Sequence, residues 1–160
     1  MSVNPTSDLV GVAWLRGVSG LSAAVVSTTL PRDSSSWAAT GFVTASVIGG
    51  SQDLYLPIRR PVFSVDCWAV NPASGQPPWG QANGLAEFIR AHIEAGPRAS
   101  NFARALTFSG DIVYKGANVI DAIMRTEPRR GPVGGMFPAG DEASYARYML
   151  DLELIWRVGT

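Results

Sequence analysis

The residues that could perform acid–base or nucleophilic chemistry are few in this chain of 160 residues, which has one histidine, His92, and one cysteine, Cys67. A single imidazole excludes a metal centre built on several histidines, and a single thiol excludes an internal disulfide or a cysteine zinc finger. Cys67 lies in the strand-like run VFSVDCWAV, so we interpret it as a small core residue. We interpret His92, at the flank of an apolar helical stripe, as a helix-border residue that hydrogen-bonds locally or to solvent.

Acidic side chains offer a second route to chemistry. Two close pairs are present, namely Asp141-Glu142 and Asp151 with Glu153. Asp151 and Glu153 point the same way along a strand, so they could share a metal ion or a proton. Arg147 and Arg157 lie on the same face of that strand, and we therefore favour a salt-bridged surface. No GxSxG, P-loop or strand-linked GxGxxG motif occurs, so we expect no catalytic residue, no metal site and no cofactor.

The composition indicates one globular domain that covers residues 1–160. Hydrophobic residues make up 46% of the chain and charged residues only 16%, against about 25% charged in an average soluble domain. The formal net charge is zero, which argues against a basic nucleic-acid-binding protein. The first residues resemble no signal peptide, and no apolar run approaches the ~20 residues of a membrane span. We therefore expect a chain that is cytosolic at synthesis and has part of its surface covered by partners.

Sequence periodicity predicts an α+β fold in the order α-β-β-β-α-β-β. The opening helix begins at Asn4-Pro5 and ends at Arg16-Gly17, and a second helix, with an apolar stripe that includes Phe88, covers about 81–95. Strands are predicted over 23–29, 40–48, 62–70, 117–126 and 146–158. The stretch between the second helix and Gly116 has no clear pattern. We expect an antiparallel-rich sheet of about five strands with two helices packed on one face.

The two clearest strands alternate in character. In the last one, every even position from 146 to 158 is apolar, which is typical of a strand with one face on the core. In the third strand, Phe63, Val65, Cys67 and Ala69 face one way. The intervening side chains, Ser64, Asp66 and Trp68, are expected on the opposite, outward face.

Arginines and loop aromatics provide the candidate interaction residues. The arginines are Arg59 and Arg60 before the third strand, and Arg125, Arg129 and Arg130 near the start of the final connection. They could contact phosphate, meet acidic residues of another subunit, or form local ion pairs in solvated loops. The aromatic and apolar loop residues are Trp37, Trp79, Met136 and Phe137. We expect each of these to pack back onto the core, although at least one of the set should lie at an interface.

Four segments, taken in order, resemble the tail terminator (tail-completion) proteins of long-tailed phages, particularly those of actinobacteriophages. They are the opening helix and strand up to Leu30-Pro31, the strand RRPVFSVDCWAV, the helix ANGLAEFIRAHIEA, and a final strand–turn–strand with EPRRGP and YARYMLDLELIWR. Together they cover most of the chain except roughly 98–116.

The resemblance implies a structural virion protein of the tail–neck region that is assembled in the host cytoplasm. Such proteins form a ring, usually a hexamer, which ends tail-tube polymerisation and binds the head-completion or connector protein. Genome DNA passes through the lumen without specific binding, and no enzymatic activity, cofactor or membrane is implied. The sheet edges and the long loops, here 71–80 and the glycine-rich 131–140, would make the subunit contacts. Our candidate residues for subunit, partner or lumen contacts are Arg59, Arg60, Arg129, Arg130, Trp79 and Phe137.

Three alternatives stay open from the sequence. The chain could be another phage neck protein, such as a head-closure or connector component. It could be an unrelated cytosolic α+β module that binds a small ligand in an apolar pocket. An enzyme that uses Asp66 or His92 is the third alternative, for which no substrate class can be named.

Overall fold

A computed structural model describes residues 1–21, 25–99, 102, 105–137 and 144–159. Within these ranges the chain forms two helices and six strands in an α+β arrangement. The elements are α1 (Ser7–Arg16), β1 (Val26–Ser27), β2 (Phe42–Gln52), β3 (Ile58–Val70), α2 (Trp79–Ala95), β4 (Ala105–Leu106), β5 (Ala117–Arg130) and β6 (Tyr145–Val158). A short 3-10 helix, Ser34–Ser36, lies in the connection between β1 and β2.

The strands form one sheet in the order β1-β2-β3-β6-β5-β4. All neighbours are antiparallel except β1 and β2, which are parallel. The α+β class is therefore confirmed, but the sheet is mixed and has six strands in place of about five antiparallel ones. The additional strand, β4, comes from the segment without a clear pattern. Both edge strands have only two residues, too few for period-two alternation to show.

Both helices cover the same face of the sheet, as expected. Gly11 of α1 lies directly over the ring of Phe63 in β3, where an added Cβ would come within 2.3 Å of Cε1. At the other end, Ala82 of α2 packs against Ala69 and Ala146. The even positions of β6 line this helix-covered face, and Ala146, Leu150, Leu152, Leu154 and Trp156 are at most 1% exposed. The predicted inward face of the last strand is thus confirmed.

Several predicted element ends are wrong, and two of the causes can be named. The opening helix begins two residues beyond Pro5, because the Thr6 hydroxyl, and not Asn4, accepts the hydrogen bond from the Leu9 amide at 3.3 Å. The second strand does not end at Gly49-Gly50 but continues to Gln52. At Gly50, φ is +128° and an added Cβ would lie 2.4 Å from the Arg60 carbonyl oxygen, so glycine here permits a bulged strand and does not end it.

Four of the other boundary differences lengthen the predicted elements, and one shortens a strand. The strand β3 starts at Ile58, and the helix α2 starts at Trp79. The strand β5 runs on to Arg130, and β6 starts at Tyr145. The first predicted strand, 23–29, is reduced to Val26–Ser27, and its positions 23 and 24 lie outside the described residues. Phe88 was placed in the apolar stripe of α2, but it is 46% exposed and packs at the helix border against Gly20.

Candidate interaction surfaces

The sheet face away from the helices, here called the open face, is built around one buried acid, Glu153. Its carboxylate accepts hydrogen bonds from Arg60 Nε at 2.8 Å and from Arg125 Nε at 2.8 Å. The Glu153 side chain is only 4% exposed, whereas the two arginine side chains are 45% and 49% exposed. Two guanidinium groups from β3 and β5 therefore cover a carboxylate from β6 and present their remaining nitrogens to solvent.

The ionisation of Glu153 depends on these arginines. Burial has the largest single influence and raises the pKa of the carboxyl group. Hydrogen bonds from Arg125 and Arg60, together with their positive charges, outweigh burial, so that the pKa of Glu153 lies below its ordinary value. The carboxylate is therefore charged at neutral pH and holds both guanidinium groups in place.

A second ion pair extends the open face along β5 and β6. Arg129 donates to the Thr126 hydroxyl at 2.7 Å and lies 3.5 Å from Asp151 Oδ2. The Thr126 hydroxyl donates in turn to Asp151 Oδ2 at 3.2 Å. Nearer the start of β6, Arg147 pairs with Asp66 of β3 at 3.0 Å. These contacts fix the arginines at defined positions on the sheet.

The expected salt-bridged surface is present, but its predicted pairing is wrong. Arg147 and Arg157 are not the partners of Asp151 and Glu153, whose partners come from β3 and β5. Side chains opposite each other on neighbouring strands lie about 4.5–5.5 Å apart, closer than alternate residues along one strand. Ion pairs from Asp151 and Glu153 to neighbouring strands are therefore favoured over pairs within β6. The other acidic pair, Asp141-Glu142, lies outside the described residues.

The six candidate residues do not form one site. Arg60 and Arg129 lie on the open face, whereas Arg59 and Arg130 lie on the helix-covered side, because successive strand residues point to opposite faces. Arg59 stacks 5.1 Å above the Trp156 ring, and its Nη1 lies 3.5 Å from the Pro5 carbonyl oxygen. Arg130 stacks 4.6 Å above Trp79, the first residue of α2. Arg130 and Trp79 thus form one half-exposed patch at the start of that helix.

Phe137, the sixth candidate, covers one end of the open face. Its ring stacks on Tyr145 at 3.7 Å and meets the Trp68 ring edge-on at 5.8 Å. Trp68 lies on the open face with Asp66, as the alternation predicts, but these rings cover it and leave it only 2% exposed. Trp37 is also 2% exposed and packs against Phe42 and Tyr145, which confirms that this loop aromatic returns to the core.

The rings of Trp68, Phe137 and Tyr145 form one wall of a cavity of about 620 Å³, here called the aromatic pocket. It is lined by Thr28, Leu30, Pro31, Arg32, Thr44, Asp66, Trp68, Met136, Phe137 and Tyr145. Asp66 Oδ2 accepts from Arg147, but Asp66 Oδ1 is buried without a hydrogen-bond partner among the described residues. Arg32 is exposed at the rim and forms no ion pair within the described ranges.

The β2–β3 turn, residues 53–57, is the interaction feature that the sequence analysis missed; we call it the hairpin tip. Leu54 and Tyr55 are each 93% exposed, and Leu56 is 54% exposed. The turn is nevertheless ordered, since Asp53 Oδ1 accepts hydrogen bonds from the amides of Tyr55 at 2.8 Å and Leu56 at 3.0 Å. These bonds lower the pKa of Asp53. The run Leu-Tyr-Leu inside a polar connection was the available signal.

His92 and Cys67 lie within the core. Cys67 is 0% exposed, as expected, and burial raises the pKa of its thiol. His92 is 4% exposed, stacks on Phe102 at 5.6 Å and lies 5.2 Å from the Trp14 ring. Both of its ring nitrogens have no hydrogen-bond partner among the described residues, so the expected helix-border position is wrong. Burial lowers the pKa of His92, which favours the neutral ring.

No group of three or more His, Cys, Asp or Glu side chains is placed to hold a metal ion in the described part of the chain. No helix within the same ranges combines the length and apolar character needed to span a membrane. Comparison with protein-family models gives no match, and neither does comparison with curated proteins.

Proposed function

We propose that this chain is a structural subunit of a phage virion, of the tail terminator type that its sequence resembles. In this proposal, copies of the chain close into a ring, six-membered as in that family, on the end of the tail tube. The ring ends tube polymerisation and offers its other side to the head-completion or connector protein. Genome DNA passes through the lumen, and the chain acts in the tail–neck region after assembly in the host cytoplasm.

The hairpin tip is the observation that carries this proposal. Leu54 and Tyr55 lie beyond the end of the sheet and are almost fully exposed. Isolated apolar side chains on a surface are ordinary, but three in succession on a projecting, internally hydrogen-bonded turn form a contact element. Removal of such side chains from water favours association by a transfer free energy of about 25 cal/mol per Å² of apolar surface, which is partly offset by the entropy cost of association.

The sheet edges support a closed assembly over open-ended strand addition. The outer strands β1 and β4 have two residues each. Most of β5 and the part of β2 after Thr44 are left without an outer neighbour. The register of β5 shifts at three places and that of β2 at one, and β5 contains Pro128. Bulges and proline blunt a sheet edge against pairing with further strands. Contacts between subunits would therefore use side chains, loops and the hairpin tip.

The open face supports a role next to DNA or to an acidic neighbour. Arg60, Arg125 and Arg129 are each about half exposed, and buried or half-buried carboxylates hold them in position. Positioned cations attract a phosphate backbone without reading its sequence. That property suits a lumen through which any genome sequence must pass, and it does not require a positive net charge for the whole chain.

Tube assembly in the presence of this protein tests the proposal directly. The proposal predicts a tail-tube gene next to the gene of this chain; the product of that gene is polymerised alone and with increasing amounts of the chain, and tube lengths are measured by electron microscopy. We expect shorter tubes with a ring of density at one end. Tubes of unchanged length without a terminal ring would overturn the proposal. If the ring binds the head-closure side and not the tube, the chain is another neck protein.

The aromatic pocket favours a second candidate function, a small-ligand-binding module. Its volume of about 620 Å³ is within the range of ligand pockets, and it combines aromatic walls with the carboxylate of Asp66. This function predicts a monomer or dimer whose thermal stability rises with a small amphipathic ligand. Light scattering of the chain mixed with tail tubes separates the two candidates, because only the first predicts that the chain assembles on the tubes.

A further inference from the structure

We propose that the hairpin tip of one subunit docks into the aromatic pocket of a second copy of this chain. In this contact, Leu54 enters the apolar part of the pocket, the Tyr55 hydroxyl donates to Asp66, and Asp53 faces Arg32. The inference rests on the proposed ring and identifies the contact that closes it.

The two elements lie at opposite ends of the same strand pair. Thr44 of β2 lines the pocket, whereas Gln52 of β2 leads into the tip. At ~3.3 Å per residue these positions are roughly 25 Å apart, so a tip cannot reach the pocket of its own subunit. A contact between two different surfaces is head-to-tail, and repetition of it gives a closed ring when the rotation between subunits allows.

The tip is already ordered for docking. Besides the two bonds to its carboxylate, the Asp53 amide donates to the Ile58 carbonyl at 3.1 Å, and the Ile58 amide donates to the Leu56 carbonyl at 2.7 Å. The amides of Asp53, Tyr55, Leu56 and Ile58 thus have acceptors within the turn, and the side chains project. A preorganised element loses little conformational entropy when it binds.

The aromatic pocket has an apolar wall and an unpaired acceptor oxygen that complement the side chains of the hairpin tip. Leu30, Met136 and Phe137 provide an apolar wall for Leu54. Asp66 Oδ1 is a buried acceptor without a partner in the described part of the chain, and such an oxygen carries a desolvation cost until a donor reaches it. The hydroxyl of Tyr55, at the end of a 93% exposed side chain, is a donor of the right kind.

The charges at the two surfaces are complementary. Asp53 lies two residues before Tyr55 on the tip and is exposed. Arg32 stands at the rim of the pocket and forms no ion pair within the described residues. Complementary charges of this kind at an interface rim guide association and fix its register.

Cysteine cross-linking tests this contact without altering Tyr55. Leu54→Cys and Met136→Cys are combined in one chain, because both positions are exposed. Under mild oxidation, we expect a ladder of disulfide-linked species that ends at the ring size, while each single variant gives dimers at most. Native Cys67 is 0% exposed and does not interfere. As matched control, Leu54→Cys with Val113→Cys, another exposed apolar position, should give no ladder.

Three substitutions then test the chemistry of the contact. Tyr55→Phe keeps the ring but removes the donor, and it should weaken association about ten-fold. Arg32→Glu should weaken association and reverse its salt dependence, because salt screens the new repulsion from Asp53, whereas Arg32→Lys should preserve the association of the parent. Because Tyr55 and Arg32 are exposed, the melting temperature of the isolated subunit should stay unchanged in all three.

The cross-linking is carried out on the isolated protein and on tube-capping assemblies. Rings on tubes without a link between positions 54 and 136 would overturn this contact and leave the proposed function intact. A link from the tip to the tube protein, in place of a second copy, would also overturn it. Tubes that grow normally and carry no ring would remove the proposed function itself.

Discussion

Arg60 of β3 donates to Glu153 of β6 at 2.8 Å, and Arg125 of β5 approaches the same carboxylate from the other side. Glu153 is buried, whereas both arginines keep about half of their side chains in water. One acid thus links three strands of the open face. This arrangement stabilises the sheet and at the same time displays positive charge on its surface.

Replacement of this acid should be costly. Glu153→Gln keeps the shape but removes the charge that holds two guanidinium groups, and we expect the free energy of unfolding to fall by about 2 kcal/mol. Glu94→Gln is the matched control, since Glu94 pairs with Arg90 on the exposed side of α2. Exposed pairs contribute little, so the control should unfold almost as the parent does. Equal denaturant midpoints for the two variants would contradict the role of Glu153.

Acid pH should act through the same carboxylate. The pKa of Glu153 is lower in the folded chain than in the unfolded chain, where an ordinary glutamate has a pKa near ~4.3. Its contribution to stability is therefore complete above that value and is lost as the pH falls through the folded pKa. Chemical denaturation at decreasing pH should show a steeper acid loss in the parent than in Glu153→Gln. Parallel curves would exclude this linkage.

His92 should give a separate pH response at higher pH. Burial lowers its pKa in the folded chain, so the unfolded chain binds the proton first as the pH falls below ~6.5. Stability should then decrease between pH 7.5 and 5.5, at no more than about 1.4 kcal/mol per pH unit. His92→Phe retains an aromatic ring beside Trp14 and Phe102 and should make this interval flat. A parent protein that is already flat there would refute the effect.

Much of the fold could be predicted because hydrophobic periodicity records burial. The alternation in β6 identified its inward face correctly, and Gly17 and Gly96 marked the ends of both helices. The strand β4 could not be predicted, and β1 was predicted too long, because strands of two residues exist only through pairing with distant segments. The predicted end of β2 at Gly49-Gly50 is too early, since glycine permits both a turn and a bulge.

The candidate site was predictable in residue type but not in geometry. The sequence identifies the arginines but not the faces on which they lie. Adjacent arginines such as Arg59 and Arg60 lie on opposite faces of the sheet and have different partners. The alternation of β3 places Trp68 on the face that also carries polar side chains, but Phe137 and Tyr145 cover that end of the open face. The covering comes from a loop some 70 residues away, and no local pattern encodes such packing.

Close packing of α1 on the sheet gives a further testable pair of substitutions. Gly11→Ala would place Cβ 2.3 Å from the ring of buried Phe63, and we expect a loss of about 1–3 kcal/mol despite the better helix propensity of alanine. Gly84→Ala in α2 meets nothing within 4 Å and should stabilise by up to about 1 kcal/mol. Opposite shifts in thermal midpoint are therefore expected. Stabilisation by both would show that α1 can move away from Phe63.

Charge reversal on the final strand pair tests whether the arginine surfaces take part in assembly. Arg129→Glu with Arg130→Glu removes the pairs to Asp151 and Trp79 and makes both faces of this strand end acidic. We expect weaker ring formation and longer tubes in the tube assay. Arg98→Glu with Lys115→Glu has the same net change at two other exposed positions and should leave tube capping unchanged. Equal loss in both double variants would indicate a general effect of net charge, and unchanged capping by the Arg129 and Arg130 variant would exclude these residues from the contacts.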